Sequence, residues 1–419
     1  MWKEADFRRL WAGQTASQLG EHTALVVLPL FAVLTLDAGA GELGALRAVG
    51  QAPVLLLSLF AGAWVDGWRT RTVMVLTDAG RAVVLGAAAV AAGVFGWFGV
   101  PALFVVVCAV GALSVFFDVA YQASLVRLVA RDQLVQGNSA LEGSRSAAQT
   151  GGPALGGALV SLLSAPVAVA SGAVCFALSF LSISRIRAAE ALPERPERPE
   201  RPELPERTVP LWRRIHGGLR FVVRNGVLRS VCLASAAFQL SFAAMLTVYL
   251  LYLPRELHLS GTVVGLALAA TGPGALVGAL LAARLPRRWG YGPVLVGAAV
   301  LGDGAYLCVP ALRGSSAATV AALVAVGFVF GVGGQLVNVT VMAVRQAATP
   351  AGMQGRVAAT ITFVGMGLTP LGSLLGGWLA AGWGLRTSLL VTAAGMLLSP
   401  AVMAVSPLAR LGRELPAPR

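Results

Sequence analysis

Four polar side chains stand close together in an otherwise apolar stretch near the start of the chain: Gln14, Gln18, Glu21 and His22. Offsets of four and three residues put Gln14, Gln18 and Glu21 on one face of a helix. An apolar setting penalises the charged form of a carboxyl group, so Glu21 is placed to bind and release a proton. The other use of such a group is a fixed carboxylate in a structural hydrogen-bond network. Similar sets recur. Glu142, Arg145 and Gln149 share a face, with Glu142 and Arg145 spaced to pair. Asp118 precedes Gln122 by one turn, with Tyr121 beside it, and Arg47 is a partner of opposite charge for one of these acids. Further on come Gln239, Tyr249 and Tyr252, then Asp303 and Tyr306, then Gln335, Asn338, Met342 and Arg345. Those groups serve either to hydrogen-bond a substrate or to join helices. The chemistry these residue types support is proton exchange and recognition of a small molecule.

Other chemistries find no support. No nucleophile–base pair is visible, so an enzyme is not expected. His22, His216 and His258 lie far apart, which speaks against a metal cluster, and no cofactor is expected. Cys108, Cys175, Cys232 and Cys308 have no C-x-x-C spacing and read as small buried hydrophobes. Lys3 is the only lysine, and a P-loop requires one, so the chain is not an ATPase subunit.

The elements that carry these side chains are apolar runs. Of 419 residues, 57% are hydrophobic and 12% are charged, against about 25% charged in a soluble domain. A bilayer core takes about 20 apolar residues per helix, and a helix satisfies its own backbone hydrogen bonds in lipid. The runs do not alternate as barrel strands would. They give spans near 9–36, 43–65, 72–96, 100–126, 138–163 and 166–186, then 228–253, 261–284, 292–311, 316–344, 354–381 and 386–408. The first run carries Glu21 and His22 near its middle and no small-residue cleavage site, so it reads as a span and not as a cleaved signal.

Between the two sets of six lies Leu192–Arg207, LPERPERPERPELPER, the one long polar run. Proline every third residue favours extended polyproline II geometry, a semi-rigid tether. Residues 208–227, with Trp212, Ile215, Leu219 and Phe221 among arginines, read as an amphipathic helix on a membrane surface. The expected organisation is a six-helix bundle at 1–187, a linker at 188–227, a second six-helix bundle at 228–408 and a tail at 409–419. The halves echo each other weakly at a spacing near 217–221 residues: Gly44 and Pro53 match Gly265 and Pro273, and Pro153 matches Pro370. Repeats of this kind place a transport site at the half–half interface.

The formal charge of +13 reads as arginines held on one side of a membrane, with no nucleic-acid partner implied. Lys3, Arg8, Arg9, Arg69, Arg71, Arg127, Arg131, Arg284, Arg287, Arg288, Arg345, Arg356, the linker and the C-terminal arginines fall on one side. Arg255, Arg313 and Arg386 fall on the other. Both termini and the linker are therefore expected in the cytoplasm. Arg-rich, Ala-rich and Lys-poor usage points to a GC-rich bacterial source.

Several motifs carry a family resemblance. Gly62-Ala-Trp-Val-Asp66-Gly-Trp-Arg69-Thr-Arg71 resembles the major facilitator motif G-x-x-x-D-R-x-x-R-R between spans 2 and 3. The resemblance implies a cytoplasmic charge latch built on Gly62, Asp66, Arg69 and Arg71. Gly67 stands where that motif has an arginine, and the matching segment of the second half, Gly278 to Arg284, has lost the acid. Gly152-Pro153-Ala-Leu-Gly156-Gly157 resembles the G-P-x-x-G-G motif of drug/proton antiporters, and it follows Asn138-Ser-Ala-Leu-Glu142 at that family's spacing. Phe7 to Trp11, Ser17 to Glu21, Phe116-Phe-Asp118 and Thr349-Pro350 leading to Gly355-Arg356 resemble the branch holding macrolide efflux proteins and the enterobactin exporter.

The resemblance implies an all-α membrane protein of twelve transmembrane helices in two pseudo-symmetric six-helix bundles, the major facilitator fold. It further implies proton-driven export of a small amphipathic molecule; the expected setting is a bacterial cytoplasmic membrane and the expected state a monomer. Glu21, Asp118, Glu142 and Arg145 are the coupling candidates. Gln14, Gln18, His22, Gln122, Gln149, Gln239, Tyr249, Asp303, Gln335 and Asn338 are the cavity candidates. Two rivals stand beside this reading: a membrane scaffold that uses the Pro-Glu-Arg run to recruit a partner, and a nutrient importer of the same fold.

Overall fold

The computed structural model describes residues 4–65, 68–94, 99–128, 134–186, 219–350 and 353–414. The Pro-Glu-Arg run, Asp66 and the surroundings of Gly62 and Gln122 lie outside the described residues. All the regular structure described is helical. In chain order the span-length helices are α1 (Ala5–Leu34), α2 (Ala40–Val65), α3 (Thr70–Gly93), α4 (Val100–Leu128), α5 (Leu134–Leu162) and α6 (Ala165–Ser184). They continue with α7 (Gly226–Arg255), α8 (Gly261–Ala282), α9 (Tyr291–Ala311), α10 (Ala317–Ala347), α11 (Gln354–Gly367, continued by Thr369–Trp383) and α12 (Leu385–Ala404). Ten of these are long and apolar enough to cross a membrane among the described residues. At 1.5 Å per residue even a 20-residue helix spans about 30 Å, the thickness of a hydrocarbon core. The remaining two are α2 and α5, of 26 and 29 residues. Helix α5 is polar up to its middle, where Glu142, Arg145 and Gln149 lie.

Proline marks where several helices break. Helix α8 is interrupted at Ala270, ahead of Pro273, and α11 at Leu368, ahead of Pro370. Helix α12 pauses at Leu397, ahead of Pro400, and the end of α9 tightens into a 3₁₀ turn containing Pro310. In each case the ring removes a backbone donor and crowds the preceding turn. Leu76, Val94, Leu162, Leu280, Leu301, Trp378 and Val405 are more than half exposed. A surface this apolar suits lipid as its solvent.

The chain packs as two compact units. One comprises Met1–Glu194 and Leu250–Gly272, the other Arg195–Tyr249 and Pro273–Arg419. The end of α7 and the first half of α8 therefore pack with the first unit. In that unit α1 lies against α5 and α6, α3 against α4 and α6, and α2 against α4. Small residues set these crossings, because lipid gives helices no hydrophobic reason to associate and close backbone contact must supply the attraction. Gly152 and Gly156 of α5 lie on His22 and Thr23 of α1. In the second unit Gly372 and Gly376 of α11 lie on Leu240 to Ala244 of α7. The second pair follows the first by 220 residues, so the sequence echo corresponds to a repeated helix crossing.

One contact between loop and helix end is polar. Arg255, in the last turn of α7, donates from Nη2 to Asp37 Oδ1 (2.9 Å) and to the Ala38 carbonyl (2.8 Å). Asp37 is held in the left-handed region at φ 50°, and its side chain is 98% exposed. An exposed pair of this kind contributes about 1 kcal/mol or less. Arg255→Ala is thus expected to move the melting temperature by no more than a few degrees in detergent; a collapse of the fold would show that the loop carbonyl contact matters more than the charge.

Candidate functional site

The most buried charge in the first unit belongs to α3. Asp78 and Arg81, one turn apart, are both fully buried. A buried ion pair is tolerated only when its remaining donors and acceptors are also satisfied. Here the Arg81 guanidinium binds the Asp78 carboxylate and donates to Ser17 Oγ on α1 (2.9 Å) and Ser114 Oγ on α4 (3.1 Å). Its faces are covered by the rings of Phe117 on α4 and Phe176 on α6, with centroids 4.4 and 4.3 Å away. Such stacking compensates a guanidinium for lost water. Asp78 also accepts from Ser17 Oγ (3.4 Å) and, through its second oxygen, from Ser179 Oγ of α6. One ion pair thus joins four helices.

Glu21 lies one turn beyond Ser17 on α1. Its Oε2 is 3.9 Å from Arg81 Nη1 and accepts no hydrogen bond among the described residues. Glu21 faces a cavity of about 230 Å³ walled by α1, α2 and α4. Asp118, Arg47, Gln51 and Ser114 line the same cavity. Among the described residues no hydrogen bond or ion pair holds Asp118 or Arg47 in place. The space therefore has two carboxyl groups and one guanidinium on its walls, above a pair that is already neutral.

The other expected residues divide. Gln14 and Gln18 are buried beside the cluster, and Gln14 makes no side-chain hydrogen bond among the described residues. His22 packs on Gly152 of α5. Glu142 and Arg145 do pair, through bonds of 2.9 to 3.3 Å, yet their side chains are 65% and 48% exposed. Neither they nor Gln149, also exposed, are walls of the Glu21 cavity. Arg69 is exposed at the start of α3, while Arg71 binds the Ser184 carbonyl at the end of α6. The G-P-x-x-G-G glycines face two ways: Gly152 and Gly156 meet α1, and Gly157 meets Gly261 and Gly265 of α8, where Pro153 contributes its carbonyl to the same crossing.

The second unit has a larger cavity, about 350 Å³, walled by α7, α9, α10, α11 and α12. It brings together Gln239, Asp303 and Asn338. Gln335 instead packs on Gly278 of α8. Tyr249 is buried, with its ring edge-on to Tyr306 at 5.6 Å. Its place is in an aromatic cluster with Tyr306, Phe330, Phe242 and Phe238, and of these only Phe238 reaches the cavity wall.

Asp78 and Arg81 escaped the reading of the sequence. Their signal was present: two opposite charges three residues apart inside an apolar span, the same pattern as Glu142 and Arg145.

With the geometry in view, relatives sharpen the assignment. The family described as transmembrane secretion effector matches residues 2–417. The chain is 29% identical over 395 residues to the multidrug efflux pump Tap of Mycobacterium bovis, covering 89% of this chain and 87% of that one. It is 29% identical over 407 residues to the pump of the same name from Mycolicibacterium fortuitum, covering 93% and 92%. A solved bacterial homologue of the iron transporter ferroportin, in an inward-facing state, is similar in fold, with a TM-score of 0.72 at 18% identity over 95% of this chain and 97% of that one. Matched along almost its whole length and built of apolar spans with a cavity in each unit, the chain belongs to the transmembrane secretion effector family of the major facilitator superfamily.

Proposed function

We propose that the protein is a proton-coupled exporter of small amphipathic molecules, working by alternating access in a bacterial cytoplasmic membrane. Both termini and the 188–227 linker face the cytoplasm in this reading, as the arginine distribution argues. The observation that carries it is Glu21: a carboxyl group on a cavity wall, 3.9 Å from a guanidinium already neutralised by Asp78. Because Asp78 holds Arg81 whatever the state of Glu21, a proton on Glu21 changes the net charge facing the cavity by one. Asp118, on the same wall, feels that change. A transporter needs a group whose proton affinity differs between its two conformations, and a carboxyl group without a fixed partner is suited to it. The curated relatives are named multidrug efflux pumps, which supports an amphipathic cargo moving outward.

The test uses purified protein in liposomes. Glu21→Gln is expected to cut transport of a fluorescent amphiphile driven by an imposed pH gradient at least tenfold. Substrate exchange at equal pH on both sides, which needs no net proton movement, should persist. Gradient-driven transport at the wild-type rate would remove Glu21 from the mechanism, and with it the basis for proton coupling at this cavity.

A further inference from the structure

We infer that the cavity of the second unit is a binding site for an amphipathic organic cation, with Asp303 as the counter-charge for its positive group. This deepens the exporter reading and rests on it for the direction of transport, but the site itself is argued from its own walls. Asp303 is 4% exposed and lines the cavity. Among the described residues no hydrogen bond or ion pair reaches it. A carboxylate this buried, open only to the cavity and without a protein partner, is stabilised there by a proton or by a cation in the cavity. Asp303 therefore holds a proton or sits against a cation.

The surroundings choose the kind of cation. Phe238, Met342, Met366 and Met403 line the same space. Phe238 is the cavity-lining end of the stack that runs through Phe242 and Phe330 to Tyr306. Aromatic faces attract organic cations, and methionines adapt to varied apolar shapes. A small inorganic cation would instead need several oxygen ligands. The volume, about 350 Å³, lies at the small end of ligand pockets. Contrast the Asp78–Arg81 pair, where the counter-charge is supplied by the protein and nothing further is required.

The ionisable groups that face Asp303 are few. Tyr306 lies one turn along α9, Tyr249 of α7 packs behind it, and Arg345 of α10 is the other charge in the cavity. The walls from α11 and α12 supply Thr362, Gly365, Ser399 and methionines, none of them ionisable. Gly334 and Arg345, both on the cavity wall, are eleven residues apart on α10, which is about 16 Å along the axis. Gly302, next to Asp303, packs at the Gly334 level. Acid and guanidinium therefore mark opposite ends, and the cationic head belongs at the α9 end. The exchange balances simply: the protonated carboxyl group of Asp303 and a free cation give the carboxylate–cation pair and one proton released to solution.

Binding in detergent, with no gradient, tests this apart from transport. The probes are tetraphenylphosphonium and tetraphenylborate, alike in shape and opposite in charge. Wild-type protein should bind the first and not the second, and binding should release protons in weakly buffered solution. Asp303→Asn should weaken tetraphenylphosphonium binding at least tenfold while remaining monodisperse, and Asp303→Glu should restore most of it. Glu256→Gln, which replaces an exposed acid outside both cavities, should leave this binding unchanged. The inference is overturned if wild-type protein binds no tetraphenylphosphonium, if both probes bind alike, if no proton appears, or if Asp303→Asn binds the cation as well as wild type does. Loss of gradient-driven transport with this binding intact would count against the exporter reading alone.

Discussion

Replacing Arg81 with methionine is expected to remove most of the folded protein from the membrane. The side chain is fully buried and satisfies groups on α1, α3, α4 and α6 at once. Without it Asp78 is a buried acid with only serine hydroxyls for company, and Ser17 and Ser114 each lose a donor. Breaking a buried pair from one side costs about 3–5 kcal/mol, a large share of the total stability of a typical domain. A loss of that size corresponds to a fall of on the order of 10 °C in melting temperature. Arg81→Lys keeps the charge but not the planar fork that reaches Asp78 and two serines together, and it loses the stacking between Phe117 and Phe176. It should fall between methionine and wild type. The decisive variant is the double replacement Asp78→Leu with Arg81→Met. Removing both charges removes the penalty as well, so it should recover much of what the single change loses. A stable Arg81→Met protein, or a double variant no better than the single, would mean that Asp78 does not depend on Arg81.

That pair also marks the boundary of what the sequence disclosed. The long helices were legible because lipid forces apolar runs of fixed length, and such runs need no partner to be recognised. The spans 261–284, 354–381 and 386–408 read as continuous, and the structure interrupts them ahead of Pro273, Pro370 and Pro400, where proline acts on its own turn. Helix α1 begins at Ala5 and not near residue 9; its first turn is amphiphilic, and hydropathy alone does not register it. The site was less accessible. Offsets along α1 predicted which side chains share a face, and the structure buries Gln14 and Gln18 on it. Which neighbour that face meets depends on Ser114, Phe117, Phe176 and Ser179, all on other helices. The same limit applies to α5. Its Glu142–Arg145 spacing predicted pairing, and the pair forms, but spacing along one helix carries no information on whether that face is covered. Tyr249 illustrates the converse: a polar aromatic in a span read as a cavity group, whereas packing places it behind the wall, against Tyr306.

The glycine-rich run of α5 separates two physical accounts of the same motif, and substitution to alanine decides between them. Glycine in a helix either permits bending or permits close approach of a neighbour. Under the first account Gly151, Gly152, Gly156 and Gly157 are nearly equivalent, and each alanine stiffens the helix, with a gain of up to about 1 kcal/mol in helix propensity. Under the second they differ sharply. A Cβ on Gly151 meets nothing within 4 Å. One on Gly156 sits 3.0 Å from the Thr23 carbonyl oxygen and 3.3 Å from a Val27 methyl group. One on Gly152 falls 2.6 Å from His22 Cβ and 3.0 Å from His22 backbone. One on Gly157 collides with the Gly261 carbonyl and lies 2.7 Å from Gly265 Cα, so the nearest atoms it meets are backbone. No rotamer change relieves that contact; the helices must separate. Separation also strains the bond from the Thr262 amide to Ser161 Oγ, 2.6 Å, at the same crossing. Overpacking costs about 1–3 kcal/mol where side chains adjust, and the Gly157 site offers none that can. The expected order of destabilisation in detergent is Gly157→Ala and Gly152→Ala well ahead of Gly156→Ala, with Gly151→Ala at or above wild type. Four alanine variants of equal melting temperature would overturn the packing account. The predicted order would instead establish that α5 uses these glycines to hold α1 on one side and α8 on the other, leaving little room at either crossing for any side chain at all.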